Sequence, residues 1–189
     1  MVPTPWGYDA AKKPPALATG DDLVTVSGGR WKADARSAQA LLSASATIRS
    51  YCGWHIAPLL SCEAQISPRG CFISLPALQV ASVDSVVEEG TTLVGGVDWE
   101  WSKNGLIHRI DHAWKRGLAT VVVNYEAGFD EVPDDVLAVC FQMAQRLLAV
   151  PFGIKSETAD GVSVSYDASV RLTTNETLLL SSYMLPQGV

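Results

Sequence analysis

Features that would place a protein in a membrane or in an oxidising compartment are scarce in this sequence of 189 residues. No uncharged apolar run approaches the about 20 residues that a membrane-spanning helix needs. The N-terminus lacks the basic-then-apolar pattern of a signal peptide. The four cysteines are irregularly spaced, which favours free thiols over a disulfide framework. We therefore expect a soluble protein that is made and used without export.

Positive charge is also sparse. Asp and Glu total 20 and Lys and Arg total 14, which gives a formal net charge of −6. The basic residues are scattered from Lys12 to Arg171 without a cluster, which argues against sequence-specific DNA binding. Apolar residues make up 48% of the chain and charged residues only 18%, so its bulk is expected to fold around a core.

Two long helices are predicted, one on each side of a central region. Residues 1–20 hold four of the ten prolines and predict a mobile N-terminal arm. Apolar and small residues at three- to four-residue spacing then predict a helix over about 33–52. Pro133, followed by two aspartates, predicts a helix over about 134–149, because proline fits a first turn and acids complement the helix dipole.

Between these helices, short β-type runs separated by turn signals over about 62–127 predict an inserted antiparallel β-meander. The segment 156–189 is predicted to be an extended C-terminal arm ending in a short helix, because Thr173 and Glu176 have the spacing of a capping box. The fold class is therefore α+β, with residues 21–155 forming a small helical core that carries the meander.

Side chains that carry chemistry occur only in weak arrangements. Cys52 and His55 offer a thiol beside an imidazole, but no third group is evident that would orient the histidine as a base. His108 and His112 have the spacing of a metal pair on a helix, yet they follow a strand and lack further ligands. No catalytic, cofactor-binding or metal-binding residue is therefore predicted, and the protein is not expected to be an enzyme.

Acidic residues concentrate where the β region meets the second long helix. The spacing does not fit a calcium loop. An acidic surface can line a channel so that DNA slides past it without sticking, because like charges repel. The candidate channel-lining acids are Glu126, Asp130 and Glu131.

With its elements in order, the chain resembles the head-to-tail connector (adaptor or head-completion) proteins of long-tailed phages, especially those of phages infecting actinobacteria. The resemblance covers roughly residues 21–186. Its most particular parts are Arg49-Ser50-Tyr51-Cys52-Gly53-Trp54-His55-Ile56, the Leu75-Pro76 step into residues 80–88, Trp99-Glu100-Trp101-Ser102-Lys103-Asn104-Gly105, and the tail over residues 176–186.

The resemblance implies a structural protein without cofactor or enzymatic activity. Its subunits would form a ring, usually twelvefold, beneath the portal protein, extend the DNA channel and dock a stopper or tail-completion protein. The implied location is the head–tail junction of a virion assembled in the host cytoplasm. The C-terminal arm would contact the portal or a neighbouring subunit through Val162, Val164, Tyr166, Leu178, Leu179, Tyr183, Met184 and Leu185.

Two other functions remain open on the sequence alone. Trp99, Trp101 and Trp114 could form an aromatic platform in a ligand-binding β-module, for example one directed at carbohydrate. A small cysteine hydrolase that uses Cys52 and His55 is the third hypothesis.

Overall fold

The structure, a computed structural model, describes residues 1–149, 156–159, 162–165 and 171–186. Within these residues, no helix combines the length and the apolar character that crossing a membrane requires.

The chain divides into two compact units, each made of separate stretches of sequence. The β unit comprises Met1–Pro14, Cys52–Glu131 and Tyr183–Val189. The helical unit comprises Pro15–Tyr51 and Val132–Ser182. The chain thus enters the helical unit twice, and its C-terminal residues return to the β unit.

The described helices are α1 (Gly20–Val26), α2 (Ala35–Cys52), α3 (Asp134–Ala149) and α4 (Thr174–Leu180), and Cys52 at the end of α2 already belongs to the β unit. Two contacts show that α2 and α3 pack antiparallel. The Ser45 hydroxyl lies 3.7 Å from the Cys140 sulfur, and Arg36 Nη2 donates to the Leu148 carbonyl at 3.0 Å. The start of α2 therefore lies beside the end of α3.

Both predicted long helices are confirmed, whereas α1 was not predicted. Helix α1 begins with a capping box in which the Thr19 hydroxyl accepts from the Asp22 amide and the Asp22 carboxylate accepts from the Thr19 amide. That Thr-x-x-Asp spacing is a helix start signal. The seven residues of α1 are too few to show a clear apolar period, and only Leu23 is buried.

The β unit contains a six-stranded antiparallel sheet in the order β1-β2-β3-β9-β5-β6. Its strands are β1 (Val2–Pro3), β2 (Tyr8–Ala10), β3 (Leu60–Ile66), β5 (Val80–Glu88), β6 (Thr91–Leu93) and β9 (Val121–Ala127). Alternate residues of β9 are buried, as the two-residue period of a strand requires. Val123, for example, pairs with Ala64 on one side and Val86 on the other.

A second, three-stranded antiparallel sheet in the order β4-β8-β7 completes the β unit. Its strands are β4 (Phe72–Ser74), β7 (Trp99–Trp101) and β8 (Leu106–Arg109). A separate hairpin pairs β10 (Ser156–Ala159) with β11 (Val162–Ser165).

The α+β class and the antiparallel β insertion are confirmed, but the strand order of the large sheet is not sequential. β9 lies between β3 and β5, so the last strand of the insertion is central. The four residues of β9 that face the core are all apolar or aromatic, which suits a strand with neighbours on both sides.

The N-terminal segment also differs from the expected mobile arm. Tyr8 pairs with Ala64 and Ala10 with Cys62, so β2 forms part of the large sheet, and both Tyr8 and Ala10 are buried. The prolines on either side of β2 obscure the alternation of buried and half-buried residues in the sequence of this short strand. The aromatic ring of Tyr8 supplies apolar surface that holds the strand in place.

Candidate assembly surfaces

The short helix α4 is fixed to the helical unit by a buried carboxylate. Glu176 accepts from Arg146 Nη1 at 2.6 Å and Nη2 at 3.0 Å, and from the Thr173 amide at 2.8 Å. Burial opposes ionisation of Glu176, but the hydrogen bonds from Arg146 and Thr173 outweigh it and hold the pKa of this carboxyl below its ordinary value. The predicted capping box at Thr173 is therefore confirmed and is part of a larger anchor.

Residues after α4 return to the β unit and bind there through main-chain groups. The Trp54 indole donates to the Tyr183 carbonyl at 2.8 Å, and the Leu185 amide donates to the Cys52 carbonyl at 2.9 Å. The Tyr183 ring meets Phe129 edge-on, with centroids 6.1 Å apart. The apolar tail thus finds part of its packing surface on its own subunit.

Three of the predicted interface residues are left exposed by this docking. Leu178 is 66% exposed, Leu179 43% and Met184 38%, whereas Leu180 is buried. Tyr183 and Leu185 are half-buried against the β unit. Val162 and Val164 lie in β11, and Tyr166 lies outside the described residues. Among the interface residues whose side chains the structure describes, those available for a partner are therefore Leu178, Leu179 and Met184.

The candidate channel-lining acids do not share one environment. Glu126 lies in β9, is half-buried, and accepts from the Ser61 hydroxyl at 3.4 Å. Asp130 and Glu131 follow β9 and are exposed. An exposed acidic surface therefore exists at the end of β9, although Glu126 contributes little of it.

The tryptophan platform is wrong, because two of its three members are core residues. Trp99 is 5% exposed and Trp114 2%. The Trp114 indole donates to the Cys71 carbonyl at 3.0 Å, and the Arg109 guanidinium lies 5.5 Å from the centre of the Trp114 ring. A ligand would have to unfold part of the β unit to reach these rings.

The small sheet carries a different ring pair at its surface. Phe72, 52% exposed, stacks on His108 with ring centroids 4.5 Å apart. His108 Nδ1 lies 2.9 Å from a carboxylate oxygen of Glu100 on the next strand. His108 is thereby placed in a surface cluster across the three strands.

Cys52 and His55 do not form a nucleophile and its base. Cys52 is fully buried, and burial raises the pKa of its thiol to about 12, so the reactive thiolate is strongly disfavoured. His55 is fully buried between the Tyr8 hydroxyl, 2.7 Å from Nδ1, and the Ala127 carbonyl, 2.9 Å from Nε2. A carbonyl only accepts, so Nε2 carries the proton and Nδ1 accepts from Tyr8. His55 is a structural link between β2 and β9.

Over the described ranges, no group of three or more His, Cys, Asp or Glu side chains is arranged to hold a metal ion.

One surface feature was missed because it joins distant segments of the chain. A groove of about 390 Å³ in the helical unit, here called the basic groove, is lined by Arg30, Trp31, Gln142, Gln145, Arg146 and Ala149. A neighbouring pocket of about 230 Å³ shares Arg30 and Trp31 and adds Lys32, Asp34 and Arg36 among its lining residues. Antiparallel packing of α2 on α3 places Arg146 at the same groove as Arg30, although the two residues are distant in sequence.

Comparison with known proteins gives a fold but no family. No family model matches the chain, and no curated protein matches it. Solved structures that do match include the neck of a native gene transfer agent particle computed with C12 symmetry, at 16% identity and a TM-score of 0.61. The neck of the empty particle computed with C6 symmetry matches at 15% identity and a TM-score of 0.61. The virion of the native particle matches at 15% identity and a TM-score of 0.63.

Each of these alignments covers 96% of this chain and 97% of the other. Nearly the whole chain, including both units, therefore has a counterpart in a chain from these particles, and the fold of this protein is that of a chain in the neck structures.

Proposed function

We propose that this protein is a structural subunit of the neck of a phage-like particle, located in the virion at the head–tail junction and assembled in the host cytoplasm. The observation that carries the proposal is the fold likeness over 96% of the chain to chains of gene transfer agent necks. A fold alone does not fix a function. The sequence resemblance to phage connector proteins is independent support, because it rests on residue patterns rather than on backbone shape.

The proposed assembly is a homo-oligomeric ring beneath the portal protein, of the twelvefold symmetry usual for connectors. The matching neck structures were computed with C12 and C6 symmetry. A closed cyclic ring requires a heterologous interface, in which one face of a subunit meets a different face of the next. The ring would extend the DNA channel and dock a stopper or tail-completion protein.

The C-terminal arm is the proposed contact with the portal or with a neighbouring subunit. Leu178, Leu179 and Met184 are exposed beside residues that anchor the same segment. Exposed apolar side chains on a fixed element favour association, because burying them in a partner removes apolar surface from water. Because the arm is already anchored to its own subunit, binding a partner costs less conformational entropy.

DNA is proposed to pass through the channel without sequence-specific binding. Asp130 and Glu131, with a smaller part for Glu126, are the proposed acids of the channel wall. Repulsion between carboxylates and phosphates would keep DNA mobile. We propose no catalytic role for any residue, since the thiol beside His55 is buried.

The test is assembly with a candidate portal, followed by light scattering and negative-stain imaging. We expect a ring, free or on the portal, for the wild-type chain. The variant Leu178→Ser, Leu179→Ser, Met184→Ser should lose portal binding or ring formation while keeping its melting temperature. A matched control, Val26→Ser with Leu42→Ser, removes exposed apolar groups outside the arm and should assemble normally. An arm variant that assembles as well as wild type would contradict the role of the arm.

A further inference from the structure

Arg30 lines the basic groove, and Lys32 lines the neighbouring pocket together with Asp34. Neither of these two cations forms an ion pair in the described part of the chain. Arg36 donates to the Leu148 carbonyl, and Arg146 binds Glu176. Arg30 instead lies 5.4 Å from the centre of the Trp31 ring, and Lys32, also exposed, has no ion pair among the described residues. These two cations are therefore available to an anionic partner.

A complementary acidic patch begins the helix whose far end lines the groove. Asp134 and Asp135 form the first turn of α3, are exposed, and take part in no ion pair within the described ranges. The residues of α3 that line the groove, Gln142, Gln145, Arg146 and Ala149, all lie in its second half.

Within one chain, no ion pair joins the two patches in the described residues. Asp135 precedes Gln142, the first residue of α3 that lines the groove, by seven residues, which at about 1.5 Å per residue is about 10 Å along the helix axis. That spacing exceeds the Debye length of about 8 Å at physiological salt. Opposite charges at two separate places on one subunit suit a head-to-tail contact between copies.

We propose that the basic groove and the pocket beside it bind the acidic start of α3 from the next copy of this chain. Arg30 and Lys32 meet the carboxylates of Asp134 and Asp135 of that copy, and Trp31 supports the Arg30 guanidinium at the contact. The proposal rests on the ring proposed above and identifies residues on both of its unlike faces.

A second copy fits the groove better than DNA does. The groove holds about 390 Å³, enough for a few side chains, and only two of its six lining residues, Arg30 and Arg146, are cations. A duplex-binding surface is expected to present a basic stripe that follows many phosphates. The net charge of −6 also leaves the chain rich in carboxylates that lack a basic partner.

Zero-length cross-linking tests this contact directly. A carbodiimide activates a carboxylate of Asp134 or Asp135, the Lys32 amine then attacks it, and an amide forms while the reagent takes up the released water. In an equal mixture of ¹⁴N- and ¹⁵N-labelled protein, we expect mixed-isotope Lys32–Asp134 or Lys32–Asp135 peptides by mass spectrometry. Lys32→Arg should keep self-association and lose this cross-link, since a guanidinium does not react.

Charge reversal supplies the second measurement. Arg30→Glu with Lys32→Glu should weaken self-association by at least about tenfold, as should Asp134→Lys with Asp135→Lys. The combination of all four substitutions should restore association. The control Lys12→Glu with Lys13→Glu makes the same charge change at exposed sites elsewhere and should have no effect. Melting temperatures identify any variant that merely fails to fold.

Three results would overturn the inference. Rings that form on a portal but give no such cross-link, or that ignore both reversals, would remove this interface and leave the ring function standing. A wild-type chain that remains monomeric at about 1 mM would show that the contact has no useful affinity. Loss of duplex binding in Arg30→Glu with Lys32→Glu, with unchanged self-association, would make the groove a phosphate site. Failure of ring formation with every portal would instead contradict the proposed function.

Discussion

The β unit and the helical unit each bury one glutamate against an arginine, but they do so differently. In the β unit, Glu88 lies 3.6 Å from Arg109 Nη2, and both side chains are almost completely buried. In the helical unit, Glu176 is equally buried, but its partner Arg146 is 36% exposed. The first pair is sealed inside its unit, whereas the second has one member at the surface.

The two pairs also differ in their other hydrogen bonds. The Glu88 carboxylate also accepts from the Lys115 amide at 2.8 Å, and Arg109 reaches the Asp98 carbonyl at 2.6 Å, yet the buried Nε of Arg109 has no hydrogen-bond partner. Glu176 is bonded on both oxygens by three short contacts. We infer that the sealed pair holds β5 and β8 together as part of the core, whereas the half-open pair anchors α4 as an element that can detach.

We expect the largest loss of stability when the sealed pair of Glu88 and Arg109 is broken. Arg109→Ala leaves Glu88 buried without its arginine and should lower the free energy of unfolding by about 3–5 kcal/mol, measured by denaturant titration. Arg109→Met with Glu88→Gln removes both charges and should recover part of this loss. Arg116→Ala, an exposed arginine of the same unit, is the control and should change stability little. A loss below about 1 kcal/mol for Arg109→Ala would mean that the pair is not part of the core.

A smaller and more local effect is expected at the half-open pair. Glu176→Gln replaces charge-assisted hydrogen bonds and should cost about 2 kcal/mol of local stability. Hydrogen exchange should increase in α4 and not in α2 or the large sheet. Asn175→Gln, a neighbouring exposed substitution in the same helix, should leave exchange unchanged. Uniformly faster exchange over the whole chain would show that α4 is not a separate element.

Acidification of the wild-type chain should have the same effect as the Glu176→Gln substitution. The pKa of Glu176 in the folded state lies below its ordinary value of 4.5, so the anchor contributes its full stability above about 4.5 and loses it as the pH falls through the folded-state pKa. Arg146, which faces Glu176, stays charged throughout. Amide NMR signals of α4 should therefore shift toward those of a detached helix in acid. The Glu176→Gln chain should lack this transition.

Local signals in the sequence predicted the elements well. Pro133 and the aspartates after it predicted the start of α3, and Thr173 with Glu176 predicted the cap of α4, because both features depend on residues within one turn. The α+β class followed from the change of period between helices and strands. The short N-terminal strand was missed because its pairing with β3 is a long-range contact that no local pattern encodes.

Features assembled from distant segments could not be predicted in the same way. The basic groove needs residues 30–36 to reach the end of α3, which only the antiparallel packing of two helices brings about. Burial of Trp99 and Trp114 depends on which sheet face meets the core, and strand alternation alone leaves that choice open. The positions of Leu178 and Leu179 on the surface follow from Leu180 and Glu176 being the buried side of α4.

The smallest local effect is expected where the tail returns to the β unit. Trp54→Phe keeps an aromatic ring beside Phe129 but removes the indole N–H that donates to the Tyr183 carbonyl at 2.8 Å. Trp54 is fully buried, so the smaller ring also leaves a cavity that lowers the stability of the whole β unit. One hydrogen bond is worth about 1 kcal/mol, so exchange at the Leu185 amide should rise about fivefold relative to other amides of the β unit, while α4 stays protected. Trp101→Phe, at a half-buried tryptophan of the same unit, is the matched control. If α4 loosened together with Leu185, the Glu176 anchor and the contacts of Tyr183 would form one cooperative unit rather than two. The whole tail, and not α4 alone, would then be the element that can detach.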